Sequence, residues 1–264
     1  MMDLNLKGKT AFITGGSDGI GKATAMILAS EDCKVAICAR GIEKLENTQK
    51  EILEKTGNKV EIFPTDVRKE SEVTETIKKV FSIFGSINIL INNAGTSHAN
   101  SFENTVNEIW EEDFSLKIYG AIYTSRAIIP QMKKEKEGVI INLTTPGGKA
   151  FSANKIPTSV SRSAGIALTK SMSKELASYN IRVNTVCVGL IKSGQHKTRW
   201  ENSRNNGSDI SLDEFYKNMS ADIPMGRVGE AEEVGSLIAF LCSDKVKYIT
   251  GASINIDGGT SPVV

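Results

Sequence analysis

Residues 10–30 read TAFIT, GGSDGIG and KATAMILAS in succession, running from Thr10 through Gly15, Ser17, Gly19, Ile20 and Gly21 to Ser30. The first five residues make a short buried strand, and the run from Gly19 onward has the spacing of a helix with one apolar face. Between them the glycines let the chain turn sharply, so that backbone N–H groups and a helix N-terminus approach a pyrophosphate. The spacing is G-x-x-x-G-x-G rather than G-x-G-x-x-G. Alone, the stretch also suits a plain tight strand-to-helix turn.

Outward from this unit the alternation continues. Short apolar runs at Lys34–Cys38, Lys59–Phe63, Ile87–Ile91, Val139–Leu143, Arg182–Val186 and Ser253–Ile256 are separated by amphipathic segments. Seven strands with crossover helices predict an α/β fold: a Rossmann-like, doubly wound parallel sheet with helices on both faces. Gly57-Asn58 and Gly85-Ser86 mark helix ends that call for a left-handed cap. No Pro/Ser-rich linker divides residues 1–264, so one domain is expected. The rhythm breaks only at about 190–225, a long polar segment from Leu190 to Met225 that carries Trp200 and Tyr216. Segments of that length in compact domains are usually lids or binding loops.

Composition narrows the function classes. The chain has 264 residues, Lys+Arg 32 against Asp+Glu 31 and a formal net charge of +1. That balance gives no long-range field toward nucleic acid or a membrane surface. The apolar runs fall far short of the roughly 20 residues a spanning helix needs. The opening MMDLNLKGKT lacks the apolar core of a signal peptide, and a cytoplasmic protein is expected. Cys33, Cys38, Cys187 and Cys242 form no C-x-x-C pair and read as buried thiols, without disulfide or metal.

Two further stretches fall at the carboxyl ends of predicted strands, where an open α/β sheet forms its crevice. Asn92-Asn93-Ala94-Gly95 follows the fourth strand. Asp66-Val67 follows the third, offering a carboxylate to an adenine amino group or an N-cap to the helix beginning KESEV. The second strand ends Cys38-Ala39-Arg40, with no carboxylate for a ribose 2′-hydroxyl, so Arg40 favours the 2′-phosphate of NADP(H) over NAD(H). Asp18 argues the other way.

With TGGSDGIG and NNAG stand Pro130, Lys174-Glu175-Leu176-Ala177, Ile181-Arg182-Val183-Asn184, Arg227-Val228-Gly229 and Ile256-Asp257-Gly258-Gly259. Over essentially its whole length the chain resembles the short-chain dehydrogenase/reductase family. The resemblance implies a nicotinamide cofactor, a small-molecule substrate and a homo-oligomer, tetramer or dimer. It places cofactor contacts at Gly15, Ser17, Gly19, Ile20, Gly21, Arg40, Asp66, Val67, Asn93, Ala94, Gly95, Arg162, Gly189, Ile191 and Ser193.

Members of that family usually work with a Ser-Tyr-Lys set assisted by an Asn. Counting back from Glu175-Leu176-Ala177 puts the Tyr position on Thr158 and the Lys position on Arg162, the strand VIINL puts the Ser position on Thr145, and the Asn position falls on Lys117. The five tyrosines are Tyr119, Tyr123, Tyr179, Tyr216 and Tyr248, and a register slip recovers none of them. Val188-Gly189 stands where the family usually carries Pro-Gly. A positioned general acid contributes roughly 10² to 10⁴ in rate, and threonine is a far weaker acid than tyrosine.

Several replacements are open. If Lys117 and Arg162 face one pocket, repulsion would lower the lysine pKa and make it a proton donor or Schiff-base amine. The same two cations beside Thr145 and Thr158 would instead suit an anionic substrate. His98, His196 and Trp200 are candidates for the substrate pocket, with Gln195 and Arg199 in the same lid. The leading expectation is an NADP(H)-binding oxidoreductase acting on a carbonyl or hydroxyl group. A non-redox lyase or isomerase, and an inactive nucleotide-binding regulatory subunit, remain alternatives on the same fold.

Overall fold

The computed structural model describes residues 3–264. Strands β1 (Thr10–Thr14), β2 (Lys34–Ala39), β3 (Glu61–Pro64), β4 (Ile89–Asn92), β6 (Gly138–Thr144), β8 (Ile181–Val188) and β9 (Ser253–Ile256) form one sheet, in the order β3-β2-β1-β4-β6-β8-β9. Every pairing in it is parallel. A two-residue antiparallel pair, β5 (Ala99–Asn100) with β7 (Ile156–Pro157), stands apart from it. Strands with both faces covered read as continuous apolar runs, as β1 and β6 do.

Alternate residues of each strand point to opposite faces, and two cores result. Ala11, Ile13, Val35, Ile37, Ile89, Ile91 and Ile141 pack under helices α1 (Gly19–Ser30), α2 (Ile42–Thr56) and α9 (Ala231–Cys242). Phe12, Ala36, Cys38, Leu90, Ile140 and Val183 pack under α3 (Glu70–Phe84), α5 (Gly120–Glu135) and α6 (Thr158–Leu176). Helix α4 (Asn107–Phe114) runs into α5 through a π-helical turn at Ser115–Tyr119. The segment 190–225 is not irregular throughout: it carries α7 (Gly194–Asn205) and α8 (Leu212–Met219). Helix α7 is polar nearly all round, with only His196 buried, so it offers no apolar periodicity to read.

The strand order reverses between β1 and β4, and there the crevice of such a sheet opens. The Asn93 carboxamide donates to the carbonyls of Thr14 (2.9 Å) and Gly15 (3.1 Å). Asn93 and Ala94 N–H both donate to Thr14 Oγ1 at 3.0 Å. These bonds lock the glycine turn onto the chain after β4. A side chain at Gly15, whose φ is +64°, would sit 2.9 Å from the Asn93 amide nitrogen, so only glycine fits both the backbone angle and the approach.

Candidate functional site

A cleft of about 420 Å³ follows the carboxyl ends of β1, β4, β6 and β8. Of the residues singled out in the sequence, Gly15, Gly19, Ile20, Asn93, Ala94, Gly95, Thr145, Arg162, Gly189, Ile191, Ser193 and His196 line it. Gln195 and Arg199 line it too, along with Lys155, which sequence reasoning did not single out. The others lie elsewhere. Gly21 packs behind the turn, where a Cβ would collide with the Gly15 carbonyl. The Ser17 carbonyl accepts from Thr48 Oγ1 at 2.9 Å, and Arg40 is exposed at the end of β2. Val67 is buried against Gly120.

Asp66 does not stand free. The Arg68 guanidinium grips both its oxygens through Nε (2.9 and 3.0 Å) and Nη2 (2.6 Å). Those bonds hold the carboxyl below the usual carboxylate range, with burial opposing them and Arg40 adding a smaller pull. Asp66 does not cap α3, whose N-cap is Lys69; its Oδ1 accepts from Arg68 N–H at 3.1 Å, and its own N–H donates to Glu72 Oε2 at 2.8 Å. The carboxylate is thus ionised and held in a fixed orientation at the end of β3.

Asp18 caps α1: its Oδ1 accepts from Gly19 N–H at 2.7 Å. Its Oδ2 lies against Gly194 at the start of α7, with Lys44 Nζ 4.0 Å away. The glycine turn and the segment 190–225 therefore meet at this carboxylate.

Arg162 projects from the first turns of α6. Its Nη1 donates to the Leu143 carbonyl at 2.7 Å, and Nη2 would lie 2.9 Å from a Cβ on Gly95. Its Nε is buried with no partner. Arg162 also borders a small internal cavity of about 20 Å³, and Lys117 lies on the same cavity.

The Lys117 side chain is 1% exposed and absent from the cleft lining. Its ammonium pairs with Asp113, one helical turn earlier and fully buried, and donates to Thr158 Oγ1 at 2.9 Å. Burial lowers the Lys117 pKa to about 8; Arg162 adds to the shift, and Asp113 opposes it. The expected repulsion from Arg162 is present but ranks second to burial. Asp113 was missed because its only signal is an i,i+4 spacing to Lys117, which exposed helix faces share.

The Thr158 hydroxyl is already spoken for. It accepts from Lys117 and from His98 N–H (3.0 Å), and donates to Asp113 Oδ2 at 3.4 Å. It joins three pieces of chain and is not among the residues lining the cleft. His98 is likewise outside that lining; its ring contacts Thr96 Oγ1 at 3.3 Å. Trp200 serves its own segment: the indole N–H donates to the Ile210 carbonyl at 2.9 Å, and Arg204 sits 5.4 Å over the ring.

His196 differs from both. It is 8% exposed, lines the cleft, and has a buried Nδ1 without a partner. Burial first, and then the neighbouring Arg199, push its pKa below the ordinary 6.5, so the ring is neutral at pH 7. With its oxygen turned toward the cleft wall, the Gln195 carboxamide accepts from Ser97 N–H (3.1 Å) and Arg199 Nη2 (3.3 Å), tying α7 to the chain after β4.

The fold that carries this site is shared by solved structures that superimpose over nearly the whole chain. The chain matches, over residues 15–261, the family model described as enoyl-(acyl carrier protein) reductase, and it belongs to the short-chain dehydrogenase/reductase family. Among curated relatives, an uncharacterized oxidoreductase of Thermotoga maritima is 35% identical over 260 residues, covering 98% of this chain and 100% of the relative. A 3-oxoacyl-[acyl-carrier-protein] reductase of Staphylococcus epidermidis is 33% identical over 251 residues, covering 95% and 98%. Among solved structures, L-sorbose reductase from Gluconobacter frateurii, complexed with NADPH and L-sorbose, superimposes with a TM-score of 0.92 at 30% identity, covering 100% of both chains. An NADPH-bound short-chain oxidoreductase from Pseudomonas aeruginosa, described as containing an atypical catalytic center, gives 0.89 at 30% identity, covering 97% and 98%.

Proposed function

We propose that this protein is an NADP(H)-dependent oxidoreductase that interconverts a carbonyl and a hydroxyl group on a small molecule, with an atypical catalytic set and a lid at about 190–225. The observation that carries this reading is the cleft at the strand-order reversal, where the glycine turn, Asn93–Gly95 and Gly189–Ser193 converge. The residues there fit a dinucleotide. Asp18 takes the first N–H of α1, that of Gly19, and the glycine turn presents the helix N-terminus beyond it to a pyrophosphate, while Arg162 brings a guanidinium with an unpartnered buried Nε to the cleft wall.

Arg40, exposed beyond β2, would take the 2′-phosphate, and the oriented Asp66 carboxylate would accept from the adenine amino group. Arg162 would hold ribose hydroxyls. A nicotinamide dinucleotide held by these residues would supply hydride chemistry for the carbonyl–hydroxyl interconversion. The NADPH named in the L-sorbose reductase and P. aeruginosa structures supports this choice of nucleotide, and the latter's atypical center supports an oxidoreductase without the usual residues.

Proton handling then falls to this chain's own groups. With Thr158 saturated and Lys117 sealed behind it, we assign the proton to His196, the histidine that lines the cleft and has an unpartnered buried nitrogen. The four buried free thiols agree with a reducing, cytoplasmic setting.

Titration of the purified protein with NADPH and with NADH, followed by cofactor fluorescence, tests the reading. NADPH is expected to bind at least about tenfold more tightly, and Arg40→Asp to reverse that preference. Binding of neither nucleotide would overturn the oxidoreductase assignment and favour the inactive-subunit alternative.

A further inference from the structure

The charges around the cleft are unequal. Lys155, Arg162 and Arg199 line it, whereas Asp18 is the only carboxylate among the described lining residues. Asp18 lies at the glycine-turn end and is committed to capping α1. Among the described residues, none of the three cations has a carboxylate within ion-pairing distance, although surface cations such as Lys22, Lys55, Arg126 and Arg227 all do.

Two of the three cations, Lys155 and Arg199, line the cleft together with the 96–99 stretch. The antiparallel pairing of Ala99 with Pro157 and of Asn100 with Ile156 sets Lys155 opposite Ser101, just past that stretch, and Lys155 lines the same cleft as Ser97 and Ala99. Arg199 reaches the same stretch through Gln195, which accepts from both Arg199 and Ser97 N–H. Lys155 thus comes from the fixed wall leading into α6, and Arg199 from the lid helix. An ion held between the two would tie the lid to the wall. Unpaired cations in a concave site raise the local concentration of anions, and a charge-assisted hydrogen bond is roughly twice as strong as a neutral one.

Resting on the oxidoreductase reading, we infer that the substrate is a carbonyl or hydroxy compound bearing a carboxylate, which Lys155 and Arg199 grip between wall and lid. Arg162, fixed on the Leu143 carbonyl, stays with the reacting end. The two cations are specificity determinants; neither needs to move a proton.

Calorimetric titration of the full chain, with and without NADPH, uses pyruvate, acetoacetate and 2-oxoglutarate as probes, each matched with its neutral methyl ester. At least one carboxylate is expected to bind about tenfold or more above its ester. Lys155→Met and Arg199→Met should each remove most of that preference while leaving NADPH affinity unchanged. Lys155→Arg and Arg199→Lys should restore it, because charge is what is recognised.

Equal binding of acids and esters, or binding of no acid, overturns the inference. So does a matching loss of NADPH affinity in the two Met variants, which would assign the cations to the cofactor's own phosphates. If Lys155→Arg keeps the preference for acids but abolishes turnover, Lys155 is a proton donor and its part in the inference falls. Carboxylate binding without any NADPH binding would leave the anion site standing and remove the oxidoreductase reading instead.

Discussion

At the residue scale, the positions that sequence counting placed at the centre of catalysis divide into two groups. Thr145 and Arg162 face the cleft; Thr158 and Lys117 form a buried network with Asp113 behind it. Counting along a chain fixes positions but not the direction of a side chain, and Lys117 turns inward because a buried carboxylate one turn earlier draws it there. Of the two histidines only His196 lines the cleft, and its Nδ1 is buried without a partner. A pKa below 6.5 gives the assignment a definite sign. Carbonyl reduction needs the imidazolium, so its rate should fall as pH rises through that depressed pKa, and alcohol oxidation should rise through the same value. His196→Asn is expected to cost roughly 10² to 10⁴ in turnover and to flatten both profiles while NADPH still binds. An unchanged profile in the variant would return the proton to another group. Lys155 went unread for a different reason: a lysine in a polar loop is ordinary until the β5–β7 pairing sets it opposite Ser101 and in the cleft lining.

At the element scale, the seven sheet strands were legible because parallel strands buried on both faces carry uninterrupted apolar runs, and their ends fell within about two residues of expectation. The pieces that shape the site were not. Strands β5 and β7 have two residues each, too few for any alternation. The π-helical turn at Ser115–Tyr119 leaves no mark in an amphipathic pattern, yet it carries Lys117. Helix α7 is polar nearly all round, with His196 its one buried residue and Trp200 tied to the Ile210 carbonyl. Its first residue meets the glycine turn at Asp18. A Cβ on Gly194 would lie 2.7 Å from Asp18 Cγ and closer still to its Oδ2, and the short, hydrogen-bonded Asp18 side chain has little room to yield. Gly194→Ala should therefore push α7 off the turn. Because residues 193–196 line the cleft, the expected result is NADPH affinity roughly tenfold weaker or worse. Asp18→Ala in the same chain removes the obstructing carboxylate and should recover most of the loss. Failure of the double variant to improve on Gly194→Ala would show that Asp18 is not what fixes the lid.

At the scale of the whole molecule, the buried ionisable groups set how stability answers to pH, and their signs oppose. Lys117 has a folded pKa of about 8 against an ordinary 10.5. Between those values the unfolded chain holds the extra proton, so this group makes stability rise with pH. Cys33, Cys38 and Cys242 are pushed by burial from an ordinary 9.0 up to about 12. Between 9 and 12 the native state keeps protons that the unfolded chain has released, and stability falls as pH rises. Each fully mismatched group contributes about 1.4 kcal/mol per pH unit. One amine acts alone from pH 8 to 9, and three thiols outweigh it above that range. These groups together therefore predict greatest stability near pH 9, with a steep loss beyond it. Denaturant unfolding midpoints measured from pH 7 to 11 check this. Replacing Cys33, Cys38 and Cys242 together by alanine should flatten the loss above pH 9, whatever the variant's starting stability. Lys117→Met should abolish the rise from 8 to 9 and lower stability throughout by about 3 to 5 kcal/mol, because it strands the buried Asp113 carboxylate. If the alanine variant loses stability above pH 9 as steeply as the parent chain, the thiols are not the groups that titrate on unfolding.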